Sequence, residues 1–258
     1  MSDLDIIFKV NTKYNFDQDI LSKTITAISS DDEMLGPGGK EHYYNVGLSA
    51  IDCIFKGINI AGRKINEINK ILDFPCGYGR VLRFLKSFFP DSDIYACEID
   101  EKYLDFCKNT FSVRTIISTK SFRNINLENK FDLIWCGSLF THLNSIKFRK
   151  LLNFFYNQLS DSGLLVFSTH GRFAYNNIKN FDYGLRLHQK LWVKIKYNIF
   201  DFAYVNYLRH FGYGVSFSKP SWICSLIEKL PQLRLLASME KAWDNHHDII
   251  ICKKENFL

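Results

Sequence analysis

The sequence predicts an α/β protein built on a doubly wound, mostly parallel seven-stranded sheet with helices on both faces. Three observations carry this expectation. Short apolar runs of strand length alternate with segments of helical periodicity between residues 70 and 169. The first run ends in a glycine turn, Asp73-Phe74-Pro75-Cys76-Gly77-Tyr78-Gly79, that leads at once into a helical pattern. Two further strand candidates, residues 233–239 and 248–252, bring the count to seven.

Taken in order, residues 1–66 read as an N-terminal helical cap with a turn at Gly36-Pro37-Gly38-Gly39. Within it, a helix over 43–60 places Val46, Ala50 and Ile54 on one face. The sheet domain spans 67–258. Strand 70–74 is followed by a helix over 78–89 that buries Val81, Leu85 and Phe88, turns Arg83 and Lys86 to solvent and stops at Pro90. Strand 93–98, helix 102–109, strand 114–118 and strand 131–136 come next. Helix 146–159 carries Phe148, Leu151, Leu152, Phe155 and Leu159 at helical spacing, and a Ser160–Gly163 turn leads into strand 164–169. Residues 170–232 break the rhythm. They are aromatic-rich and read as a mostly helical lid inserted after the fifth strand.

Composition narrows the function classes. A chain of 258 residues, 47% hydrophobic and 23% charged, can bury a sizeable core. The first ten residues carry two acids and only a short apolar run, so no secretory signal is expected. No run of about 18 apolar residues occurs, so no membrane span is expected. Seven cysteines without a CxxC pair suggest buried thiols in a reducing cytoplasm, and no zinc spacing calls for a metal. The net charge of +6 is spread along the chain, denser over 147–150 and 186–196. Solvated helix faces explain most of it, with an anionic substrate as the other reading. A nucleic-acid partner is not expected, because no basic–aromatic RNA-binding module is present.

The glycine turn is the feature that speaks to chemistry. Glycines let a backbone approach a ligand closely, and the helix that follows offers free N–H groups to an anion. The next strand ends at Glu98, 19 residues after Gly79, where an acid can accept hydrogen bonds from ribose hydroxyls. A dinucleotide fingerprint is poorly matched: read from Gly77 and Gly79, its third glycine position is Leu82, and Pro75 precedes the pair. The pattern Asp73-x-Pro75-x-Gly77-x-Gly79 instead resembles motif I of class I S-adenosylmethionine (SAM)-dependent methyltransferases, from which Pro75 departs. IYACEID resembles their second motif, FDLIWCGSLFTHL their fourth strand and its loop, and LSDSGLLVFSTHG their fifth-strand entry, with Ser162 in place of a glycine.

The resemblance implies SAM as cofactor. It places Asp73, Phe74, Pro75, Cys76, Gly77 and Gly79 around it, Glu98 on the ribose and Ile99 against the adenine. Cys136, Gly137 and Ser138 would contact it from the fourth strand's end. Arg80 would approach the methionyl carboxylate unless it faces solvent; Tyr43 and Tyr44 lie in the helix that covers the cofactor in related folds, with Tyr44 placed on the cofactor and one of the two turned to the core. The acid often found after the third strand is missing, its place taken by residues 118–122. EHYYNVG, GYGVS and WDNHHD look similar to a group of bacterial methyltransferases associated with surface-glycan pathways.

Methyl transfer to a hydroxyl needs alignment, exclusion of water and a base for the acceptor proton. His142, just past the fourth strand, is the first candidate base, with a cap for the helix near Asn144 as its other reading. His170, at the end of the fifth strand, is the second. Tyr183, Tyr213 and His246 are candidate substrate contacts, with Tyr204, Tyr207, His247 and Asp248 close in sequence. The expected activity is O-methylation of a small molecule or glycan. An RNA or protein methyltransferase, a non-catalytic SAM-binding module and a nicotinamide oxidoreductase are the alternatives.

Overall fold

The computed structural model describes residues 1–36, 38–122, 125, 127, 129–208 and 210–255. Pro37 of the predicted N-terminal turn lies outside them. The chain packs as two units, Met1–Trp135 and Cys136–Leu258. One seven-stranded sheet runs in the order β3-β2-β1-β4-β5-β9-β8, and a separate two-stranded sheet pairs β6 with β7.

In the first unit, α1 (Asp3–Asn11) is held at its start by a capping box between Ser2 and Asp5. The short α2 (Gln18–Leu21) follows. The long α3 (Gly39–Ile60) buries Val46, Ala50 and Ile54 as their spacing requires, together with Tyr43 and Tyr44. β1 (Lys70–Asp73) pairs in parallel with β2 (Asp93–Glu98) on one side and with β4 (Phe131–Cys136) on the other. β3 (Arg114–Ile117) extends the sheet beyond β2. Strand order therefore reverses between β1 and β4, and Asp73 sits at that reversal, in register with Ala96 and Trp135. α4 (Leu82–Phe88) and α5 (Glu101–Phe111, capped by Asp100) complete the crossovers.

Two expectations are corrected here. The helix after the glycine turn begins at Leu82, not at residue 78. The reason is backbone conformation: Gly77 and Gly79 both hold positive φ, 51° and 82°, which a helix does not admit. Arg83, expected at the surface, is wholly buried. Its Nη1 donates to the Ile25 carbonyl (2.9 Å) and its Nη2 to the Tyr43 hydroxyl (3.2 Å). The segment before α3 covers this side of α4, which helical periodicity alone does not reveal.

The second unit holds the end of the sheet. α6 (Ser145–Gln158) leads into β5 (Leu159–Thr169), which is extended from Leu159 onward. The expected Ser160–Gly163 turn reduces to a kink at Ser162, whose φ is 62°. β9 (His247–Lys254) runs antiparallel to β5 and to β8 (Leu233–Trp243). Between β5 and β8 lie α7 (Arg172–Asn176), α8 (Leu187–Phe200), β6 (Phe202–Tyr207), β7 (His210–Ser218) and α9 (Pro220–Ile227).

The insertion is thus not mostly helical. β6 and β7 form an antiparallel hairpin whose alternate residues Ala203, Val215 and Phe217 join Ala174, Val193 and Tyr197 in a small core of their own. Residues 202–207, FAYVNY, are aromatic and β-branched, the composition that favours a pleated, half-buried surface.

All seven cysteines are free thiols. Among the described residues no helix is long and apolar enough to cross a membrane.

Candidate active site

In the first unit the site grows from the β1–α4 turn. Asp73 ends β1; the residue is 1% exposed, and neither carboxylate oxygen is hydrogen-bonded. Burial pushes its pKa well above the usual carboxylate range, and the nearby Glu98 adds to the rise. Glu98 ends β2. Its Oε2 accepts from the Gly77 amide (3.1 Å) and its Oε1 from the Ile99 amide (2.7 Å). Burial raises its pKa too, against the pull of those two amides. The Phe74–Pro75 peptide bond is cis. The thiols of Cys76 and Cys107 both donate to the Gly77 carbonyl, at 3.4 and 3.3 Å.

The two glycines are needed for different reasons. A Cβ on Gly77 would meet nothing within 4 Å, so that side of the turn is open. A Cβ on Gly79 would stand 2.4 Å from the Phe111 ring, so Gly79 serves packing against α5 and not approach to a ligand. Gly77→Ala is expected to lose about 1–2 kcal/mol through its left-handed backbone alone. Gly79→Ala adds an overpacking cost of about 1–3 kcal/mol. Equal urea midpoints for the two variants would refute this distinction.

A cleft of about 430 Å³ adjoins the turn. It is lined by Ser30, Asp31, Asp32, Glu33, Tyr78, Asp100, Lys102 and Tyr103. Tyr78 lies between the two glycines, and Asp100 lies two residues beyond Glu98, so the cleft touches both motifs. The rings of Tyr78 and Tyr103 pack at 4.3 Å. Sequence reading missed Tyr103 and the 30–33 wall. The helical spacing of Tyr103 in α5 and the Asp31-Asp32-Glu33 run are visible in the sequence, but neither says that they meet.

Ile99, the residue after Glu98, is 45% exposed. Arg80 is half-buried, its guanidinium 5.9 Å from the Tyr43 ring centre. Tyr44 is corrected. It has no exposed surface, its hydroxyl donates to the Thr26 carbonyl (3.2 Å), and it stands edge-on to Tyr43 and Phe84. Both tyrosines point into the core.

In the second unit, Cys136 is buried, Gly137 follows β4, and the Ser138 amide donates to Ser168 Oγ (2.7 Å). His142 comes next, in a short 3-10 turn over Leu139–His142. It does not cap α6. The Asn144 side chain does so, accepting from the Ile146 and Lys147 amides (3.1 and 2.9 Å). His142 Nδ1 lies 2.9 Å from the Gly214 carbonyl and 3.1 Å from the Tyr207 hydroxyl. A carbonyl only accepts, so Nδ1 carries the proton and Nε2 keeps its lone pair. The ring stacks on Tyr213 at 4.8 Å. Burial lowers the pKa of His142, so the imidazole is neutral at pH 7.

His170 is buried and pairs in the same way, Nδ1 with the Ser216 carbonyl at 3.2 Å. Burial holds its pKa well below that of free imidazole, and the neighbouring histidines add to the effect. Tyr183, His246, His247 and Phe217 surround it, and the Tyr183 hydroxyl lies 3.1 Å from His246 Nε2. Nitrogens of His170, His246 and His247 lie within 4.8 Å of one another.

Residues 71–163, which include the glycine turn, Glu98 and the β4 end, match the family described as "Methyltransferase domain". That stretch, about a third of the chain, is similar to a methyltransferase domain. A curated relative, the malonyl-[acyl-carrier protein] O-methyltransferase of Bacillus anthracis, is 27% identical over 114 residues, 44% of this chain and 42% of that protein. Its Bacillus cereus counterpart is 27% identical over 110 residues, 42% of this chain and 40% of that protein. The chain therefore spans about two fifths of the length of these relatives. Among solved structures, a SAM-dependent methyltransferase from Clostridium acetobutylicum superposes with a TM-score of 0.58 at 16% identity, covering 81% of this chain and 92% of that one. A SAM-bound amino pentose methyltransferase from Micromonospora echinaspora gives 0.54 at 14% identity, covering 80% and 91%. These likenesses are of fold. The match to a methyltransferase domain supports SAM as the cofactor over a nicotinamide.

Proposed function

We propose that the chain transfers a methyl group from SAM to an oxygen of a small hydroxylated molecule or glycan in the cytoplasm. The observation that carries the oxygen acceptor is His142: neutral, with Nδ1 committed to the Gly214 carbonyl and Nε2 left basic. When bound, SAM supplies a methyl group on a sulfonium, a leaving group that needs no protonation.

The chain's own residues supply the rest. Asp73 and Glu98 are two buried carboxylates, the first with no hydrogen-bond partner, and a ligand carrying positive charge and hydroxyl donors relieves both. Glu98 accepts from the ribose hydroxyls with the lone pairs its two amides leave free, and Ile99 covers the adenine. His142 Nε2 removes the acceptor proton. Tyr183, Tyr213 and His246 present aromatic faces with polar tips, which suit a sugar or a hydroxylated ring. The free thiols fit a reducing compartment.

A carboxylate acceptor is the second reading, prompted by the malonyl-[acyl-carrier protein] relatives. Such an acceptor has no proton to lose, so it gives His142 no work. Glu98→Ala tests the cofactor assignment. Calorimetry is expected to show SAM affinity weakened by about 1–3 kcal/mol through lost charge-assisted hydrogen bonds. Unchanged affinity would remove Glu98 from the ribose site.

A further inference from the structure

We propose that α8 is an interfacial helix that docks on an anionic lipid surface. The proposal stands apart from the methyl-transfer reading and uses none of its residues.

α8 is amphipathic the wrong way round for a helix that only builds a core. Its inward side is narrow: Val193 and Tyr197 are buried in the small core beside β6 and β7. Its outward side is mostly apolar, with exposed His188 and Asn198 on the same arc. Leu187, Leu191 and Ile199 are 83%, 60% and 65% exposed, and Trp192 and Ile195 are exposed as well. At 3.6 residues per turn these five side chains fall within an arc of about 140°. Single exposed apolar residues are ordinary, but a contiguous ridge of large ones along a helix marks an interaction surface.

The borders of the ridge say what it meets. Lys190 and Lys194 flank one edge and Lys196 the other, all three partly buried. Lys196 Nζ lies 4.5 Å from the Trp192 ring centre and 4.6 Å from that of Phe200. Its stem lies along the apolar border while the ammonium stays at the rim, the posture of a snorkelling lysine. Arg186 adds a fourth cation at the helix start; α8 itself contains no carboxylate, and Asp201, which caps its end, is paired with Lys219. A second copy of the chain laid face to face would bring these cations together unopposed. A largely apolar helix face with tryptophan, bordered by lysines and with no carboxylate within the helix, instead matches the acyl–headgroup boundary of an anionic bilayer.

The test is flotation of the full chain with vesicles of phosphatidylglycerol mixed with phosphatidylcholine, and with phosphatidylcholine alone. The wild-type chain is expected to float with the anionic vesicles and to bind them less as salt rises. A Leu191→Ser/Ile195→Ser variant is expected to lose about tenfold or more in vesicle affinity per residue replaced. A Lys190→Gln/Lys194→Gln/Lys196→Gln variant is expected to abolish the preference for anionic over neutral vesicles. Unchanged melting temperatures show that both variants fold, whatever their activity. Failure of the wild-type chain to float, equal floating of the serine variant, or equal binding to neutral vesicles overturns the proposal. So does a dimer in lipid-free solution that the serine variant dissociates, which would assign the ridge to a second copy.

Discussion

Replacing His142 with glutamine is expected to lower the rate of methyl transfer to a hydroxyl acceptor by about 10²–10⁴-fold and to leave SAM affinity unchanged. Glutamine keeps a donor for the Gly214 carbonyl, which His142 contacts at 2.9 Å, but supplies no basic nitrogen. The magnitude is that of a lost general base, and the measurement is single-turnover rate against calorimetric SAM affinity. A rate within about threefold of wild type would sink the base assignment and favour the carboxylate acceptor.

The pH dependence follows from the direction of the shift. Burial lowers the His142 pKa below 6.5, so Nε2 stays basic to a lower pH than free imidazole allows, and the acid limb of the rate profile lies below 6.5. The stability effect has the same sign. Between the lowered folded value and 6.5 the unfolded chain binds more protons than the folded one, so stability is full above about pH 6.5 and is lost as pH falls through the folded value. His170, held lower still, acts in the same direction.

What sequence made legible follows from how local each signal is. β1, β2 and β4 are short apolar runs bounded by turn residues, and they lie where those runs place them. The glycine turn and Glu98 are fixed by spacing along one βαβ unit, so their meeting at 3.1 Å between Gly77 and Glu98 could be expected. The cleft wall could not. Tyr78 and Tyr103 come from different elements, and Asp31–Glu33 come from a loop some forty-five residues earlier, so their meeting depends on tertiary packing. The β6–β7 hairpin was hidden because residues 202–218 hold aromatics and glycines that suit a loop, a lid or a strand until pairing partners are known. Tyr43 and Tyr44 adjoin on one helix and were expected to part. Both are buried because α3 is covered on two neighbouring sides.

Arg83→Ala is expected to destabilise the chain by about 3–5 kcal/mol, the cost of stripping one member from a buried charged network. Arg83 has no exposed surface, and its charge is held in two ways. It donates to the Ile25 carbonyl and the Tyr43 hydroxyl, and Tyr43 in turn donates to Asp32 Oδ2 at 2.7 Å. The guanidinium also lies 5.2, 5.9 and 5.4 Å from the ring centres of Tyr43, Tyr44 and Phe111. Truncation leaves the Ile25 carbonyl unmet, loosens the Tyr43–Asp32 bond and opens a cavity beneath three rings. Asp32 also caps the 3-10 turn at Glu33–Leu35 and lines the cleft beside the glycine turn, so this network ties α4 to the cleft wall. Arg83→Met separates the two contributions. It keeps most of the stem's packing and removes the charge, so it is expected to recover part of the stability but none of the hold on Asp32. If the network positions the wall, Arg83→Met weakens SAM binding more than its urea midpoint alone accounts for. A truncation cost below about 1 kcal/mol would mean that the three rings, not the hydrogen bonds, hold this corner together.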